Sequence, residues 1–485
     1  MIDLSINESG LQEAVKRARE RNIIIPTFAQ QRDPSKIPPS IVDELKDIGL
    51  WQIHPRNLFR ITWKNEPLAE GGGFGDVNFI ELPPELTGVE ARIISLVGKF
   101  FPTGAHKVGA TFGCLVPPLV TGQFNPIIHK AVWPSTGNYC RGGAYDATLL
   151  ACESIAILPE EMSRERFEWL QTVSGEIIKT PGSESNVKEI FDKVWELRKT
   201  RENIFVFNQF EEFGNYLWHY DITGHAMKEV LENELKGDNF SGLVLTTGSA
   251  GTMGCGDFIK QIYPDMKLAA GEALQCPTML LNGYGAHRIE GIGDKHIPWI
   301  HNVRNTDMVI AIDDEDTMNI MRLFNEEEGH NYLKKIGVSE ELVSKLHLLG
   351  ISSIANLLMA IKFAKYYELT RKDVILTVFT DSMELYQSRL KEYKTKFGPY
   401  SKEDAIKDFH SHLLRQKLDS MLELNYVQRK RIHNLKYFTW IEQQGRDLDE
   451  LIRQWDDLEY WKDIQKSVEP IDNLIKEFNE IVSQG

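Results

Sequence analysis

Apolar and polar positions follow three different patterns along this chain of 485 residues. In the middle, from about residue 57 to residue 390, short apolar runs bounded by glycine and proline alternate with longer amphipathic stretches. KAVWPS, IAILP and NIFVFN are typical of the short runs, and NVKEIFDKVWELRKTR is typical of the long ones. The short runs predict buried strands and the long stretches predict helices between them. We also predict a strand over NLFRITW, residues 57–63.

Strands that alternate with helices favour parallel sheets with helices on both faces. The sequence therefore predicts the α/β class, with doubly wound open sheets in residues 57–390. A chain of this length can bury a large core and is expected to form two or more domains.

The two ends of the chain have patterns of their own. Residues 1–56 form a predicted N-terminal extension, in which a charged helix-forming run precedes the proline-rich PTFAQQRDPSKIPPS. This extension is either an arm packed on another surface or a partly ordered tail. Residues 391–485 are charged and helix-compatible, with Trp440, Trp455 and Trp461 spaced through them. They predict a C-terminal helical extension that covers a domain or subunit surface.

The net charge and the cysteine content of the chain argue against several classes of binding partner. The net charge of −15 argues against a general nucleic-acid or acidic-membrane partner, because phosphate binding needs clustered cations. Five cysteines without CxxC spacing argue against a disulfide framework and against a zinc site, so we expect no metal. The start of the chain lacks a basic and then apolar leader, and no apolar run approaches the ~20 residues that span a bilayer. We expect a cytoplasmic protein.

Candidate chemistry begins at FPTGAHKVG, where Lys107 lies among small residues and glycines. Partial burial lowers the pKa of a lysine and exposes the lone pair that attacks a carbonyl. Lys107 is therefore either a Schiff-base nucleophile or a solvated side chain beside a turn.

A second candidate follows the apolar run GLVLTT. The loop GSAGT precedes a predicted helix, and its small residues let backbone N–H groups approach an anion closely. We expect the loop to bind a phosphate, although a tight turn that binds no ligand has the same composition. The loop consists of Gly248, Ser249, Ala250, Gly251 and Thr252.

A third candidate is Ser382, which follows the apolar run DVILTVF and on its own is most simply a helix cap. An amine, a phosphate loop and a hydroxyl at a strand end are together what a pyridoxal phosphate site requires.

These stretches resemble the fold-type II pyridoxal-phosphate enzymes, and most closely the cysteine synthase and cystathionine β-synthase branch. PTGAHK is similar to the family's lysine motif and shares TGAHK with the tryptophan synthase β-subunit. The chain resembles the family over roughly residues 57–390, in which further motifs follow in family order: STGN, NQFEEFGNYLWHYDITG, GSAGT, HRIEGIGDKHIP, EEEG, GISS and TDS. The resemblance implies two open α/β domains, the smaller and mobile one over about residues 100–200.

The resemblance also implies roles for individual residues. Lys107 would be the Schiff-base lysine, Asn138 the partner of the cofactor's 3-hydroxyl, and Ser382 the hydroxyl at the pyridine nitrogen. Residues 248–252 would hold the phosphate. The implied substrate-binding residues are Ser135, Thr136, Gly137, Tyr139, Arg141 and Gln209.

One departure from the family pattern lies directly after Asn138. The relatives continue with a small residue and a glycine, whereas this chain has Tyr139, Cys140 and Arg141. Arg141 either binds an additional acidic group of the substrate or turns outward to solvent. We expect His106 to be a spacer beside the cofactor rather than a proton carrier.

The resemblance implies a lyase or synthase that acts at the β-carbon of cysteine, serine or an O-activated serine, through an aminoacrylate. One alternative is the cofactor-bearing β-subunit of a two-component enzyme such as 2-amino-4-oxopentanoate thiolase, and another is a non-catalytic amino-acid sensor. We expect a small amino-acid substrate and a homodimer, with a second subunit in the two-component case.

Overall fold

The computed structural model describes residues 2–135, 137–182 and 186–484. Its strands are β1 Phe79–Leu82, β2 Arg92–Val97, β3 Lys130–Pro134, β4 Glu153–Pro159, β5 Glu176–Thr180, β6 Ile204–Val206, β7 Asn239–Thr246, β8 Lys267–Ala273, β9 Met308–Ile312, β10 Asp373–Phe379 and β11 Met421–Glu423. Within the described residues they form a seven-stranded sheet in the order β1-β2-β10-β7-β8-β9-β11 and a four-stranded sheet in the order β5-β4-β3-β6.

Most neighbouring strands are parallel, and the antiparallel pairs lie at the two edges of the larger sheet. β10 runs parallel to both β2 and β7, whereas β1 is antiparallel to β2 and β11 is antiparallel to β9. All pairs in the smaller sheet are parallel. The predicted α/β fold with parallel sheets is confirmed. Because parallel strands end at the same edge, the loops after β2, β7 and β10 converge.

Helices connect the strands and cover both sheets. Those in the first half are α1 Glu8–Glu20, α2 Phe28–Arg32, α3 Pro39–Leu45, α4 Pro84–Thr87, α5 Lys107–Val120, α6 Asn138–Leu149, α7 Arg164–Val173, α8 Val187–Thr200, α9 Phe213–Trp218 and α10 Gly224–Glu234. Those in the second half are α11 Met253–Ile262, α12 Thr278–Leu281, α13 Asp314–Asn325, α14 Glu327–Lys335, α15 Glu340–Lys345, α16 Ile351–Tyr366, α17 Gln387–Phe397, α18 Lys402–Asp408, α19 Tyr426–Asn434, α20 Leu448–Asp456, α21 Tyr460–Gln465 and α22 Val468–Ser483. None of the described helices has the length and apolar character needed to cross a bilayer.

The core of the larger sheet contains α16, which is apolar around its whole circumference. From Ile351 to Ala364 its residues are buried. A helix without a polar face is stable only when other elements enclose it, and α16 packs on β7, β9 and β10. The sheet ends are thereby fixed relative to one another, which positions the loops that follow them.

The predicted strand over residues 57–63 is wrong. Pro55–Arg60 forms a 3-10 helix with proline in its first turn. The Asn57 side chain donates hydrogen bonds to the carbonyls of Gly49 and Gln52, at 2.9 and 2.8 Å. These contacts with the preceding turn favour a coiled conformation that apolar patterning alone does not reveal.

The N-terminal extension packs on the last helix of its own chain. α1 lies against α22 and α5. The Asp472 carboxylate accepts hydrogen bonds from the backbone N–H groups of Phe28 and Ala29, at 2.6 and 3.0 Å. The Asn479 side chain both donates to and accepts from the backbone of Ile25. Of the two interpretations of this segment, the structure supports the packed arm.

The C-terminal extension is mainly helical, as predicted, and it also contributes the edge strand β11. The indole of Trp440 is fully buried, with its N–H donating to the carbonyl of Ile297 at 2.8 Å. This extension therefore covers part of the α/β region of its own chain. The boundaries at residues 56/57 and 390/391, and the extent of the smaller domain, stay predictions.

Candidate active site

A cavity of about 580 Å³, counting its open mouth, lies where the loops after the parallel strands converge. Most of the predicted site residues line it: Lys107, Ser135, Gly137, Asn138, Tyr139, Gln209 and all five residues of 248–252. Thr136 lies outside the described residues.

Lys107 is the first residue of α5 and enters the cavity from the loop after β2. Its Nζ donates a hydrogen bond to Ser249 Oγ at 2.9 Å. Ser249 belongs to the predicted phosphate loop, so the structure brings the candidate amine and the candidate anion site together. The Asn215 amide also donates to Ser249 Oγ, at 3.0 Å, and fixes the hydroxyl between the two groups.

The loop of residues 248–252 connects β7 to the N-terminus of α11. Among the described residues, no acceptor pairs with the backbone N–H groups of Gly248, Ser249, Ala250 or Thr252. Gly251 is required because a Cβ there would lie 2.0 Å from Asn215 Oδ1. Backbone N–H groups at the start of a helix attract an anion. N–H groups near the protein interior need an acceptor, and an anion can supply it. The loop therefore fits a phosphate group.

Asn138 is the first residue of α6, and a short loop connects it to the end of β3. Its Nδ2 donates to Asp381 Oδ2 at 2.6 Å, and its buried Oδ1 has no partner among the described residues. Asp381 also accepts from Tyr386 Oη at 2.6 Å. Burial raises the pKa of Asp381. One face of the Asn138 amide is thus anchored, and the other is left for a ligand.

Hydrogen bonds hold two of the predicted substrate-binding residues, Ser135 and Gly137, at the cavity wall. Ser135 Oγ accepts hydrogen bonds from Gln209 Nε2 at 3.0 Å and from the Gly137 N–H at 3.3 Å. A Cβ at Gly137 would lie 1.8 Å from Arg166 Nη1, so the loop rests directly on a buried guanidinium. These contacts fix the positions of Ser135 and Gly137, whose role in substrate binding stays a prediction.

Arg141 is not among the described residues that line the cavity. Its guanidinium is buried and lies 5.8 Å from the Trp51 ring and 4.6 Å from the Trp169 ring. Burial, together with the nearby Arg166, lowers the pKa of Arg141 to about 10. The side chain therefore takes neither predicted position, since it stacks on aromatic rings away from both the cavity and the solvent.

The strand end after β10 places a different hydroxyl at the cavity than the sequence suggested. Thr380 lines the cavity, and its Oγ1 lies 3.3 Å from His106 Nε2. Ser382 is buried at the start of the one-turn helix Met383–Leu385 and is not among the described lining residues.

Two titratable residues at the cavity were not assigned a catalytic role from the sequence. Burial lowers the pKa of His106 to about 3, so this imidazole is neutral, as the spacer interpretation requires. Asp294 lines the cavity, and burial raises its pKa to about 7 against the opposing effect of Lys107. The GIGDK stretch contained Asp294, but nothing in its spacing showed that the side chain faces Lys107.

Comparisons with known proteins agree with this site. Residues 102–332 match the family described as pyridoxal-phosphate dependent enzyme. A cysteine synthase of Staphylococcus aureus (strain Mu50 / ATCC 700699) is 30% identical over 258 residues, which are 53% of this chain and 75% of that protein. A probable cysteine synthase of Bacillus subtilis (strain 168) is 28% identical over 315 residues, 65% of this chain and 94% of that protein.

Solved structures show the same fold. The O-acetylserine dependent cystathionine beta-synthase from Helicobacter pylori matches with a TM-score of 0.53 and 23% identity, covering 64% of this chain and 94% of that one. Fold, site and relatives together define a pyridoxal-phosphate-dependent enzyme. The chain belongs to the fold-type II family of these enzymes and is similar to its cysteine synthases.

The residues present fit pyridoxal phosphate. Lys107 would supply the amine for its aldehyde, the unpaired N–H groups of Gly248, Ser249, Ala250 and Thr252 would suit its phosphate, and the open face of Asn138 would suit a ring substituent. The partner of the ring nitrogen remains a prediction, with Ser382 from the sequence and Thr380 from the cavity wall as the two candidates.

Two variants distinguish these hydroxyls. We expect Thr380→Val to shift the visible absorbance of the cofactor-loaded protein and to lower turnover about tenfold, because a group facing the ring alters its electronics. Ser382→Ala should cost only about 1–3 kcal/mol of stability, because it removes a buried hydroxyl away from the cavity. Absorbance spectra and denaturant unfolding of both variants make the comparison. The opposite result, a spectral shift in Ser382→Ala alone, would assign the ring nitrogen to Ser382.

Proposed function

We propose that this enzyme catalyses β-replacement or β-elimination on an amino acid of the serine, cysteine or O-activated serine type. The observation that carries the proposal is the convergence on one cavity of the Lys107 amine, the free amides of residues 248–252 and the loop of residues 135–139. Amine, anion cradle and substrate loop are the three parts that such a reaction needs.

Each part has a physical task. When bound, pyridoxal phosphate supplies an electron sink that stabilises negative charge at the substrate's α-carbon. Lys107 Nζ takes the α-proton as a general base, and the Ser249 hydroxyl, 2.9 Å away, orients it. The loop that begins at Ser135 binds the substrate carboxylate, and Gln209 fixes that loop through its 3.0 Å hydrogen bond to Ser135.

The relatives support this choice of substrate. Cysteine synthases and a cystathionine beta-synthase are among the proteins that this chain resembles, and O-acetylserine is named for the H. pylori enzyme of the same fold. We therefore place O-activated serine first among the substrates of this enzyme, ahead of serine and cysteine.

The test is a direct assay of the purified, cofactor-loaded enzyme with O-acetylserine, serine and cysteine, each with and without sulfide or a small thiol. Mass spectrometry of the products separates replacement, which gives a new β-substituted amino acid, from elimination, which gives a keto acid and ammonia. Conversion of at least one substrate is expected. If none is converted although the cofactor is bound, the proposed function is wrong and the sensor alternative is favoured.

The two-component alternative predicts a free docking surface on the extensions. The C-terminal extension buries Trp440 and Trp461 against the chain's own residues but leaves Tyr426, Val427 and Leu458 exposed. We propose that the enzyme is a homodimer. A second chain that co-purifies in equal amount would favour the two-component enzyme.

A further inference from the structure

Asp294 lines the cavity, and the proposed function assigns its carboxylate no role. It lies in the loop after α12, 1 residue beyond Gly293, whose N–H donates to the carbonyl of Thr247 at 3.0 Å. A Cβ at Gly248 would lie 3.6 Å from Asp294 Oδ2, so the carboxylate stands beside the anion loop and on the same cavity as Lys107.

Asp294 differs from the structural carboxylates of this protein. Glu272 accepts two backbone N–H groups at 2.8 Å, and Asp257 accepts hydrogen bonds from Tyr216, Asn302 and Asn305. Among the described residues, no hydrogen bond or ion pair reaches the carboxylate of Asp294, although it is only 9% exposed. A buried carboxylate that holds a fold together has donors around it, whereas this one faces a cavity.

The charged groups around Asp294 leave it free to change protonation state near neutrality. The Lys107 ammonium favours the ionised form of Asp294, whereas burial opposes ionisation and has the larger effect. In the preceding loop, burial and to a smaller extent the charge of Asp294 raise the pKa of Cys276. His287 and His296 are buried, and burial lowers the pKa of each, so both imidazoles are neutral. The pKa of Asp294 is about 7.

Other titratable side chains at the cavity do not share this property. His106 is neutral because burial lowers its pKa to about 3. Burial raises the pKa of Tyr139 far above neutrality. Lys107 already serves the α-carbon. Among the described lining residues, Asp294 is thus the group that can both give and take a proton at physiological pH.

We infer that Asp294 is the catalytic acid and base for the β-substituent, and that it carries one proton between the leaving group and the incoming nucleophile. In the first half, the electron pair at Cα forms a Cα=Cβ bond as the Cβ–X bond breaks, the Cβ–X pair goes to X, and the neutral Asp294 donates the proton that releases HX. In the second half, a lone pair of HY forms the Y–Cβ bond, the π pair of Cα=Cβ returns to Cα, which takes a proton from Lys107, and the H–Y proton returns to the Asp294 carboxylate. This inference rests on the proposed function.

The leaving group provides the test. Serine needs a proton to lose its hydroxyl, whereas the acetate of O-acetylserine leaves as a stable anion. With the cofactor-loaded Asp294→Asn enzyme we expect kcat/KM for serine to fall about 10²-fold, while O-acetylserine elimination falls less than about threefold. A residue that only supports the fold would lower both substrates by the same factor.

Glu212→Gln is the matched control. Burial raises the pKa of Glu212 to about 8, and this residue is not among the described lining residues of the Lys107 cavity. The control removes a similarly titrating carboxyl elsewhere, and we expect it to leave the serine to O-acetylserine ratio unchanged.

A second readout needs no turnover. Because the folded-state pKa of Asp294 is raised, the wild type loses stability as the pH rises from about 4 to about 7, and an asparagine does not. The Tm of Asp294→Asn minus that of the cofactor-loaded wild type should therefore grow by a few degrees between pH 5 and pH 8. If Asp294→Asn loses its cofactor or its fold, Asp294→Glu, which keeps a titrating group, must retain serine turnover.

The outcomes separate the two proposals. Equal losses on both substrates, or a Tm difference that does not change with pH, would overturn the role of Asp294. If the wild type converts neither substrate, the proposed function fails and the proton-carrying role fails with it. The melting curves would then still show whether the carboxyl is protonated in the folded protein.

Discussion

Replacing Lys107 with alanine is expected to abolish the covalent attachment of the cofactor and to lower turnover about 10³-fold or more, because the base and the amine are lost together. Borohydride reduction of the wild type followed by peptide mass spectrometry should label Lys107. The variant should remain folded, because the Lys107 side chain faces a cavity and contributes no packed apolar surface.

Lys99→Ala is the control for this experiment. Lys99 lies on the same loop after β2 but pairs with Glu384 near the surface. Its loss should leave cofactor content and turnover within about twofold, as expected for an exposed ion pair. Labelling of another lysine by borohydride, or of none, would contradict the central assignment of the site.

Arg166→Met should destabilise the protein by about 3 kcal/mol, because it leaves a buried carboxylate with an incomplete set of partners. Arg166 is fully buried on α7, its Nη1 lies 3.2 Å from Glu290 Oε2, and its Nη2 donates to Tyr386 Oη at 2.9 Å. Arg389 still pairs with Glu290 at 2.6 Å, which limits the loss. Denaturant unfolding monitored by circular dichroism measures the change.

Arg164→Met on the same helix is the matched control. Arg164 Nε lies 2.9 Å from Glu168 Oε1, and both side chains are largely exposed to solvent. Its removal should change the free energy of unfolding by less than about 0.5 kcal/mol. Similar losses in the two variants would show that the buried Arg166 ion pair contributes no more to stability than an exposed one.

The class of fold and three parts of the site could be predicted because each is encoded locally. Lys107, Asn138 and the loop of residues 248–252 each follow an apolar strand and begin a helix or lead into one. Lys107 and the loop follow β2 and β7, which end at the same edge of the larger sheet, whereas Asn138 follows β3 of the smaller sheet and reaches them through the packing of the two sheets.

The residues that sequence reasoning missed depend on contacts between distant segments. Arg141 stacks on Trp51, which belongs to the N-terminal extension, and no local pattern shows that contact. Thr380 and Ser382 differ only in where the chain turns after β10. Asp294 is distinguished by the donors it lacks, and donors can be counted only when every neighbouring segment is in place.

Helices α1 and α2 of the N-terminal extension pack on α22 near the C-terminus, so the two ends of the chain are held together. The Asp472 carboxylate accepts hydrogen bonds from the N–H groups of Phe28 and Ala29, which lie 444 and 443 residues away along the chain. Shortening either end would leave this buried carboxylate without its donors and would uncover the apolar surface that the two ends share. Damage at one terminus is therefore transmitted directly to the other, and the two extensions gain or lose their structure as one unit.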